Sequence, residues 1–311
     1  MKTRKQGFNY RTLNKAIKKG ALLGALALVA GWTSSAEAQL YVTRDTGGSV
    51  GSYNFDGTPI NSSFATGLAG PYGLATNGSS IFVGNIGSGT VNKYSMDGVS
   101  QGVFTIANPI AMVISGNTLY VADYGSNRVS TYDANTGAVI NVNFITGLAQ
   151  PRGLALDASG NIFVTNFNSG TIGKYNASTG DAVSASFITG VTNPFGVVID
   201  GNDLYVSNFN FQVNTIGKYN AVNGSVINSA FVTEIGNPAG LAVYDGSLYA
   251  ASYSFSTIGQ FSTADGSAIN RNLVTGLANP VGLLAIPEPG TYALFALGGI
   301  ALLAFRKRQN A

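Results

Sequence analysis

The chain has 311 residues, of which only 10% are charged, against about 25% in ordinary soluble domains. Glycine accounts for 41 of the 311 residues, or about 13%, against a usual share of about 7%. Hydrophobic residues reach 45% and aromatic residues 11%, so the chain is too apolar to be intrinsically disordered. It contains no histidine and no cysteine, which excludes Ser-His-Asp and Cys-His catalysis, disulfides, and zinc held by imidazole or thiolate.

The net charge of +3 is distributed unevenly along the chain. Residues 1–38 hold seven basic residues and one acidic residue, and residues 286–311 hold three and one. The residues between them hold seven basic and twelve acidic residues, which gives this part a net charge of −5. The basic character therefore belongs to the two ends, and we predict no nucleic-acid partner.

The N-terminal segment has the three parts of a secretory signal. A basic stretch ends at Lys19, an apolar run extends from Ala21 to Trp32, and Ala36-Glu37-Ala38 forms an A-x-A cleavage site. The apolar run is shorter than the ~20 residues of a membrane-spanning helix, which argues against an uncleaved anchor. We predict a signal peptide over residues 1–38, with cleavage between Ala38 and Gln39.

Residues 39–285 are built from one repeat. Its most regular mark is a proline that recurs at intervals of 38 to 44 residues: Pro71, Pro109, Pro151, Pro194, Pro238 and Pro280. Periods of this size are typical of solenoids and propellers. Each proline opens a Pro-x-Gly motif, and only the second copy departs from it, with Ala111 in place of glycine.

Each repeat contains four short runs of β-branched and aromatic residues bounded by Gly, Asn and Asp, which are typical of strands. We name them strand A (the Pro-x-Gly run), strand B (runs such as Leu40-Tyr41-Val42), strand C and strand D. The mature chain begins with strands B, C and D and ends with a lone strand A at Pro280-Val281-Gly282. The four strands of each repeat predict an all-β fold. Because the last strand can complete the first unit, we predict a closed six-bladed β-propeller with four antiparallel strands per blade and short terminal apolar helices outside the fold.

The repeat resembles those of the NHL and YVTN propeller families, most clearly in Tyr41-Val42-Thr43, in Phe163-Val164-Thr165-Asn166 and in the Pro-x-Gly-Leu-Ala strands. The resemblance covers residues 39–285. It implies a propeller but no single activity, because propellers host many functions.

Another class of six-bladed propeller, the SMP-30/gluconolactonase-like hydrolases, would imply a calcium or zinc ion. In that class several ligands are Asp or Asn at the x position of Pro-x-Gly. Here the position holds neither: Tyr72, Ile110, Arg152, Phe195, Ala239 and Val281. A hard cation needs several oxygen ligands, so we predict no metal and no other cofactor. The alternative function is a metal-dependent hydrolase or lactonase of the SMP-30-like propeller type, whose metal is held by carboxylates elsewhere in the chain.

Two sets of residues near the ends of the B strands are candidates for ligand binding. A polar residue follows strand B in every repeat: Arg44, Asn85, Asp123, Asn166, Asn208 and, one place along, Ser252. They suit either a polar collar or local capping of the strand ends. Aromatic residues follow in the B–C loops: Tyr124, Phe167, Phe209, Phe211, Tyr253 and Phe255. These aromatics suit either a binding surface or packing between blades.

The B–C and D–A loops lie on one face of the predicted propeller, and the residue after each strand-A proline lies at the mouth of the axis there. We predict no catalytic residue. The predicted stacking surfaces for a sugar are Tyr72, Phe195, Phe167 and Phe209. The predicted hydrogen-bonding groups are Asn166, Asn208 and Arg152.

Residues 286–311 resemble the PEP-CTERM sorting signal of Gram-negative bacteria. Pro287, Glu288 and Pro289 match its motif, an apolar segment extends from Thr291 to Phe305, and a basic cluster follows. The resemblance implies processing by an exosortase-like enzyme and a place at the cell surface or in the extracellular matrix, with this tail as the one contact with the membrane. We therefore predict an exported binding or scaffold protein whose partner is extracellular polysaccharide or another surface protein.

Overall fold

The computed structural model describes residues 38–288, which form 24 β-strands and no helix. No helix able to cross a membrane is found among these residues. The predicted signal peptide up to Glu37, both predicted apolar helices and the tail beyond Glu288 lie outside the described residues, and they remain predictions.

The strands form six antiparallel sheets of four strands each, which are the blades of a propeller. Blade 1 consists of β24 (Pro280–Ile286), β1 (Gln39–Arg44), β2 (Ser49–Asn54) and β3 (Pro59–Ala65). Blade 2 consists of β4 (Pro71–Thr76), β5 (Ser80–Asn85), β6 (Thr90–Ser95) and β7 (Ser100–Thr105). Blade 3 consists of β8 (Pro109–Ser115), β9 (Thr118–Asp123), β10 (Arg128–Asp133) and β11 (Val139–Ile145).

The remaining blades repeat the same order. Blade 4 consists of β12 (Pro151–Leu156), β13 (Asn161–Asn166), β14 (Thr171–Asn176) and β15 (Ala182–Ile188). Blade 5 consists of β16 (Pro194–Asp200), β17 (Asp203–Asn208), β18 (Thr215–Asn220) and β19 (Val226–Val232). Blade 6 consists of β20 (Pro238–Tyr244), β21 (Ser247–Ser252), β22 (Thr257–Ser262) and β23 (Ala268–Val274). Strands A to D of each blade are named in this order from the axis outward, as predicted.

The C-terminal strand closes the circle, as the phase of the repeat predicts. Strand β24 pairs antiparallel with β1, so that Pro280 lies opposite Arg44 and Ile286 opposite Gln39. The strand ends one residue beyond the predicted limit of 285. Closure leaves no blade without its inner strand.

Burial decreases from strand B to strand D, and this gradient explains the sequence of each strand. In blade 2, Ile81, Phe82 and Val83 of strand B are fully buried, because neighbouring blades cover both faces of the sheet. A strand buried on both faces is apolar at every position rather than at alternate ones. The outermost strand of blade 3 instead exposes Val139 and Ile140.

Candidate functional site at the mouth of the propeller axis

The six A strands surround a cavity of about 370 Å³ along the axis of the propeller. Its wall consists mainly of glycine and aliphatic residues such as Leu154, Val197 and Leu241. Arg152 is the one charged residue that lines it among the described residues. The side chains of the wall are therefore mostly apolar, and the single cation lies on the face of the B–C and D–A loops.

Two circles of equivalent residues surround the mouth of this cavity. The inner circle is the second residue of each A strand: Val281, Tyr72, Ile110, Arg152, Phe195 and Ala239, from blade 1 to blade 6. The outer circle is the residue that follows each B strand: Asp45, Ile86, Tyr124, Phe167, Phe209 and Tyr253. Four of the six outer positions are aromatic.

Backbone hydrogen bonds hold the outer circle next to the inner one. In five of the six blades the N–H of the outer residue donates to the carbonyl of the residue before the strand-A proline, as in Phe167 N to Gln150 O (3.1 Å) and Phe209 N to Asn193 O (3.1 Å). The residues before the prolines have positive φ values: Gly70, Asn108, Gln150, Asn193, Asn237 and Asn279. Glycine and asparagine adopt this conformation most readily, which explains their use at five of these six positions.

The aromatic side chains of the two circles pack against one another. The ring centroids of Phe195 and Phe209 are 5.1 Å apart, and those of Phe209 and Tyr253 are 5.6 Å apart. Phe195 is buried, whereas the other two are half-buried. The mouth thus has an apolar floor with partly accessible aromatic faces, an arrangement that favours flat ligands with apolar surfaces.

The Arg152 guanidinium lies among three of these aromatic rings. Its central carbon is 4.2 Å from the ring centroid of Phe167, 4.7 Å from that of Tyr124 and 5.5 Å from that of Phe195. These distances are within the range of cation–π attraction. Burial lowers the pKa of Arg152, while the nearby Tyr124 and Tyr72 act in the opposite direction.

The other charged residue at the mouth is Asp45, in the blade opposite that of Arg152. The Tyr72 hydroxyl donates a hydrogen bond of 3.3 Å to Asp45 Oδ2. Burial raises the pKa of Tyr72, and the Asp45 carboxylate raises it further. Tyr72 therefore stays neutral and keeps its proton for this bond.

The structure brings five of the seven predicted ligand-binding residues to the mouth: Tyr72, Arg152, Phe167, Phe195 and Phe209. The other two, Asn166 and Asn208, are adjacent in sequence but only 4% exposed. Asn166 accepts a hydrogen bond from the Ala149 N–H and donates one to Thr171, and Asn208 donates one to Thr215. These amides tie together their own blades, as capping residues do.

Asp45 and Ile86 belong to the mouth although residue type alone did not single them out. The signal that identifies them is positional, because each follows a B strand as Tyr124 and Phe167 do. Phe211 and Phe255 from the same B–C loops are not packed in the mouth and are 77% and 61% exposed. They extend the aromatic surface of this face outward.

The residues at the mouth do not fit a divalent metal ion. No cluster of three or more acidic side chains occurs in the part of the chain that the structure describes. The side chains of the inner circle offer one oxygen atom, the Tyr72 hydroxyl, and place a guanidinium at the same level. Calcium requires six to eight oxygen ligands and repels a neighbouring cation.

Comparison with known proteins agrees with this fold. Residues 96–210, less than half of the chain, match the SMP-30/Gluconolactonase/LRE-like region, and residues 285–309 match the PEP-CTERM protein-sorting motif. The chain is a six-bladed β-propeller that carries a PEP-CTERM sorting motif. Such a motif directs export and surface sorting in Gram-negative bacteria, and exosortases recognise it.

Solved structures extend the likeness over most of the propeller but show the fold alone. A chain in the crystal structure of a nidogen/laminin complex is 16% identical, with a TM-score of 0.67, and the match covers 80% of this chain and 98% of that one. A computationally designed protein, Ika8, is 13% identical over 79% of this chain and 76% of its own, with a TM-score of 0.49. No curated protein sequence gave a match.

Proposed function

We propose that this surface-sorted propeller is a binding protein rather than an enzyme, and that the mouth binds extracellular polysaccharide. The observation that carries the proposal is the outer circle, where aromatic residues occupy four of six equivalent positions around an apolar cavity. The repeated backbone geometry brings one residue of each blade to the mouth, but it does not require that residue to be aromatic.

The chemistry of the face suits a sugar polymer. Sugar rings have apolar faces that stack on aromatic side chains, and their hydroxyl groups form hydrogen bonds at the edges. Each aromatic contact contributes about 1 kcal/mol, so a single site is expected to bind weakly. Many copies displayed on one surface would then hold a polymer by engaging it at many points.

A retention experiment on polysaccharide from the producing bacterium tests this proposal. Full-length protein and the variant Phe167→Leu/Phe209→Leu are passed over the immobilised polymer. Leucine keeps apolar volume but removes the flat face, so affinity is expected to fall at least tenfold. This loss follows from two contacts of about 1 kcal/mol each, since 1.4 kcal/mol is a factor of ten.

The matched control is Phe144→Leu/Phe187→Leu, which makes the same change at two half-buried positions on the outer D strands of blades 3 and 4. Retention of the control is expected to equal that of the wild type. If the Phe167/Phe209 variant is retained as well as the control, with all proteins folded, the aromatic residues serve packing and the proposal is wrong.

A lactonase is the second candidate, and the family match over residues 96–210 is the observation that favours it. The donor set argues against it, because no residue group at the mouth suits the metal that this chemistry would use. Metal content and hydrolysis of a panel of lactones distinguish the two functions. The binding proposal predicts no turnover, whereas chelator-sensitive turnover would establish the alternative.

A further inference from the structure

Arg152 differs from every other basic residue of the propeller. Residues 39–285 contain seven basic residues, and four of them form ion pairs: Arg128, Lys174, Lys218 and Arg271. Two more, Arg44 and Lys93, donate hydrogen bonds to backbone carbonyls. Among the described residues, Arg152 alone has neither a carboxylate nor a carbonyl partner.

The aromatic residues around Arg152 hold the guanidinium, but among the described residues only the Tyr124 hydroxyl offers it a hydrogen-bond acceptor. Ring faces attract a cation but do not replace the oxygen acceptors that its five N–H groups require. The Nε of Arg152 is buried and has no hydrogen-bond partner among the described residues; this also holds for Arg44 and Arg128, but their guanidinium groups have a carbonyl or carboxylate partner through another nitrogen. A partly buried cation with unmet donors costs stability unless a bound group compensates.

The surroundings of Arg152 favour a ligand group that carries one negative charge. It is the one charged residue, among those described, that lines a cavity with mostly apolar side chains, and partial burial strengthens its attraction for an anion. The propeller as a whole has a net charge of −5 between residues 39 and 285, and Asp45 stands on the far side of the mouth. Together these charges disfavour a densely charged polymer and favour one anionic group placed on the Arg152 side.

We infer that Arg152 binds the carboxylate of a uronic-acid unit, so that the polysaccharide of the proposed function is an acidic one. The planar guanidinium matches a carboxylate through two parallel hydrogen bonds. The carboxylate of a uronic acid is attached directly to the sugar ring, so the ring reaches the aromatic faces of Phe167 and Phe209 while the carboxylate lies on Arg152. This inference rests on the proposed function and names its ligand class.

The test uses hexasaccharides that carry one uronic-acid unit, either glucuronate, galacturonate or mannuronate, each paired with its carboxyl-reduced neutral counterpart. Binding to the full-length protein is measured by calorimetry. At least one acidic hexamer is expected to bind tenfold or more tightly than its neutral partner, and the difference is expected to shrink as NaCl is raised. The preference is expected to disappear in Arg152→Gln and to fall severalfold in Arg152→Lys, which keeps the charge but loses the planar fork.

Arg271→Gln is the matched control, because it removes one arginine charge from the exposed outer strand of blade 6. It is expected to keep the wild-type preference. If the wild type binds neutral and acidic hexamers equally, or if Arg152→Gln retains the preference, the inference is wrong while the polysaccharide proposal stands. If no hexamer of either kind binds, both are wrong.

Discussion

At the scale of single residues, the glycine of each Pro-x-Gly motif sets how closely neighbouring blades approach at the axis. A Cβ atom at Gly153 would lie 2.2 Å from the carbonyl oxygen of Phe195, and one at Gly282 would lie 2.0 Å from that of Tyr72. Both oxygens belong to the A strand of the next blade. Glycine here is required by close approach and not by its φ angle.

Replacement of Gly153 by alanine is expected to lower the free energy of unfolding by about 1–3 kcal/mol, the usual range for overpacking. The new methyl group meets backbone, which cannot rotate away. Gly73→Ala is the internal control, because its Cβ would lie 3.1 Å from the Ile110 carbonyl oxygen and a small shift accommodates it. Urea denaturation measures both, and equal losses in the two variants would refute this explanation of the motif.

The sequence predicted which residues lie at the mouth better than it predicted what each of them does there. Tyr72 and Phe195 could be placed at the axis because each directly follows the proline that opens strand A in its repeat. The inward direction of Asn166 and Asn208 could not be read from the sequence, since it depends on which neighbouring donors and acceptors the folded blade supplies. Likewise, the lack of a carboxylate or carbonyl partner at Arg152 emerges only once the contacts of all seven basic residues are known.

At the scale of strands, neighbouring blades are joined by a repeated hydrogen bond to the carbonyl that follows strand C. Lys174 Nζ donates to Ala221 O at 3.0 Å, Lys218 Nζ to Thr263 O at 3.0 Å, and Lys93 Nζ to Ala134 O at 3.4 Å. Strand C of blade 3 has Thr131 in place of lysine, opposite Tyr120, and there the Tyr120 hydroxyl donates to Ala177 O instead. The same junction is thus made with two side-chain types.

Lys174→Met is expected to cost about 1–3 kcal/mol of unfolding free energy, because a charged hydrogen bond is lost and a buried carbonyl loses its donor. Methionine preserves most of the packing against Phe163 and Phe187, which the lysine side chain covers. Lys93→Met, with its longer bond, is expected to cost less. Thermal unfolding of the two variants tests this order, and the reverse order would contradict it.

The closing strand is the element whose loss has the widest effect. Besides its pairing with β1, β24 donates from Gly282 N to Thr43 Oγ1 (2.7 Å), and the same hydroxyl donates to Tyr72 O (3.0 Å) in blade 2. One threonine therefore joins the last strand, the first strand and the second blade. The order of strands in the sequence was sufficient to predict this closure, because a chain that starts with strand B lacks a strand A in its first blade.

A chain that ends at Asn279 is compared with one that ends at Pro287. The shorter chain loses β24 and exposes the inner edge of β1 beside the axis, so we expect a lower melting temperature and a broader transition. Both chains lack the sorting tail, so the difference reports the strand alone. Identical melting curves would show that closure adds nothing to stability.

At the scale of the whole molecule, stability is expected to be insensitive to pH over the physiological range. The chain has neither histidine nor cysteine, so few of its groups titrate between pH 5 and pH 9. At the acidic end, hydrogen bonds from Thr58, Thr136 and Ser267 lower the pKa values of Asp56, Asp133 and Asp265. Their contribution to stability is lost only as the pH falls through these lowered values.

The alkaline limit is set by buried tyrosines. Burial raises the pKa of Tyr41 from its ordinary value of 10.0 to about 12, so the folded state holds the proton more tightly than the unfolded state. Stability is therefore full below pH 10 and declines between pH 10 and pH 12, at about 1.4 kcal/mol per pH unit for each such group. Urea midpoints of wild type and Tyr41→Phe between pH 7 and pH 12 test this. The variant should decline less steeply, and parallel curves would contradict the assignment.

The pairing of β24 with β1 also determines the face of the propeller at which its first and last residues lie. Strand A starts at the mouth and ends on the opposite face, so Ile286, the last residue before the sorting motif, and Gln39, the first residue of β1, both lie at the back of the propeller. The chain therefore leaves the propeller on the face opposite the aromatic mouth, so a support or label attached after Ile286 in a binding assay leaves the entrance of the cavity uncovered.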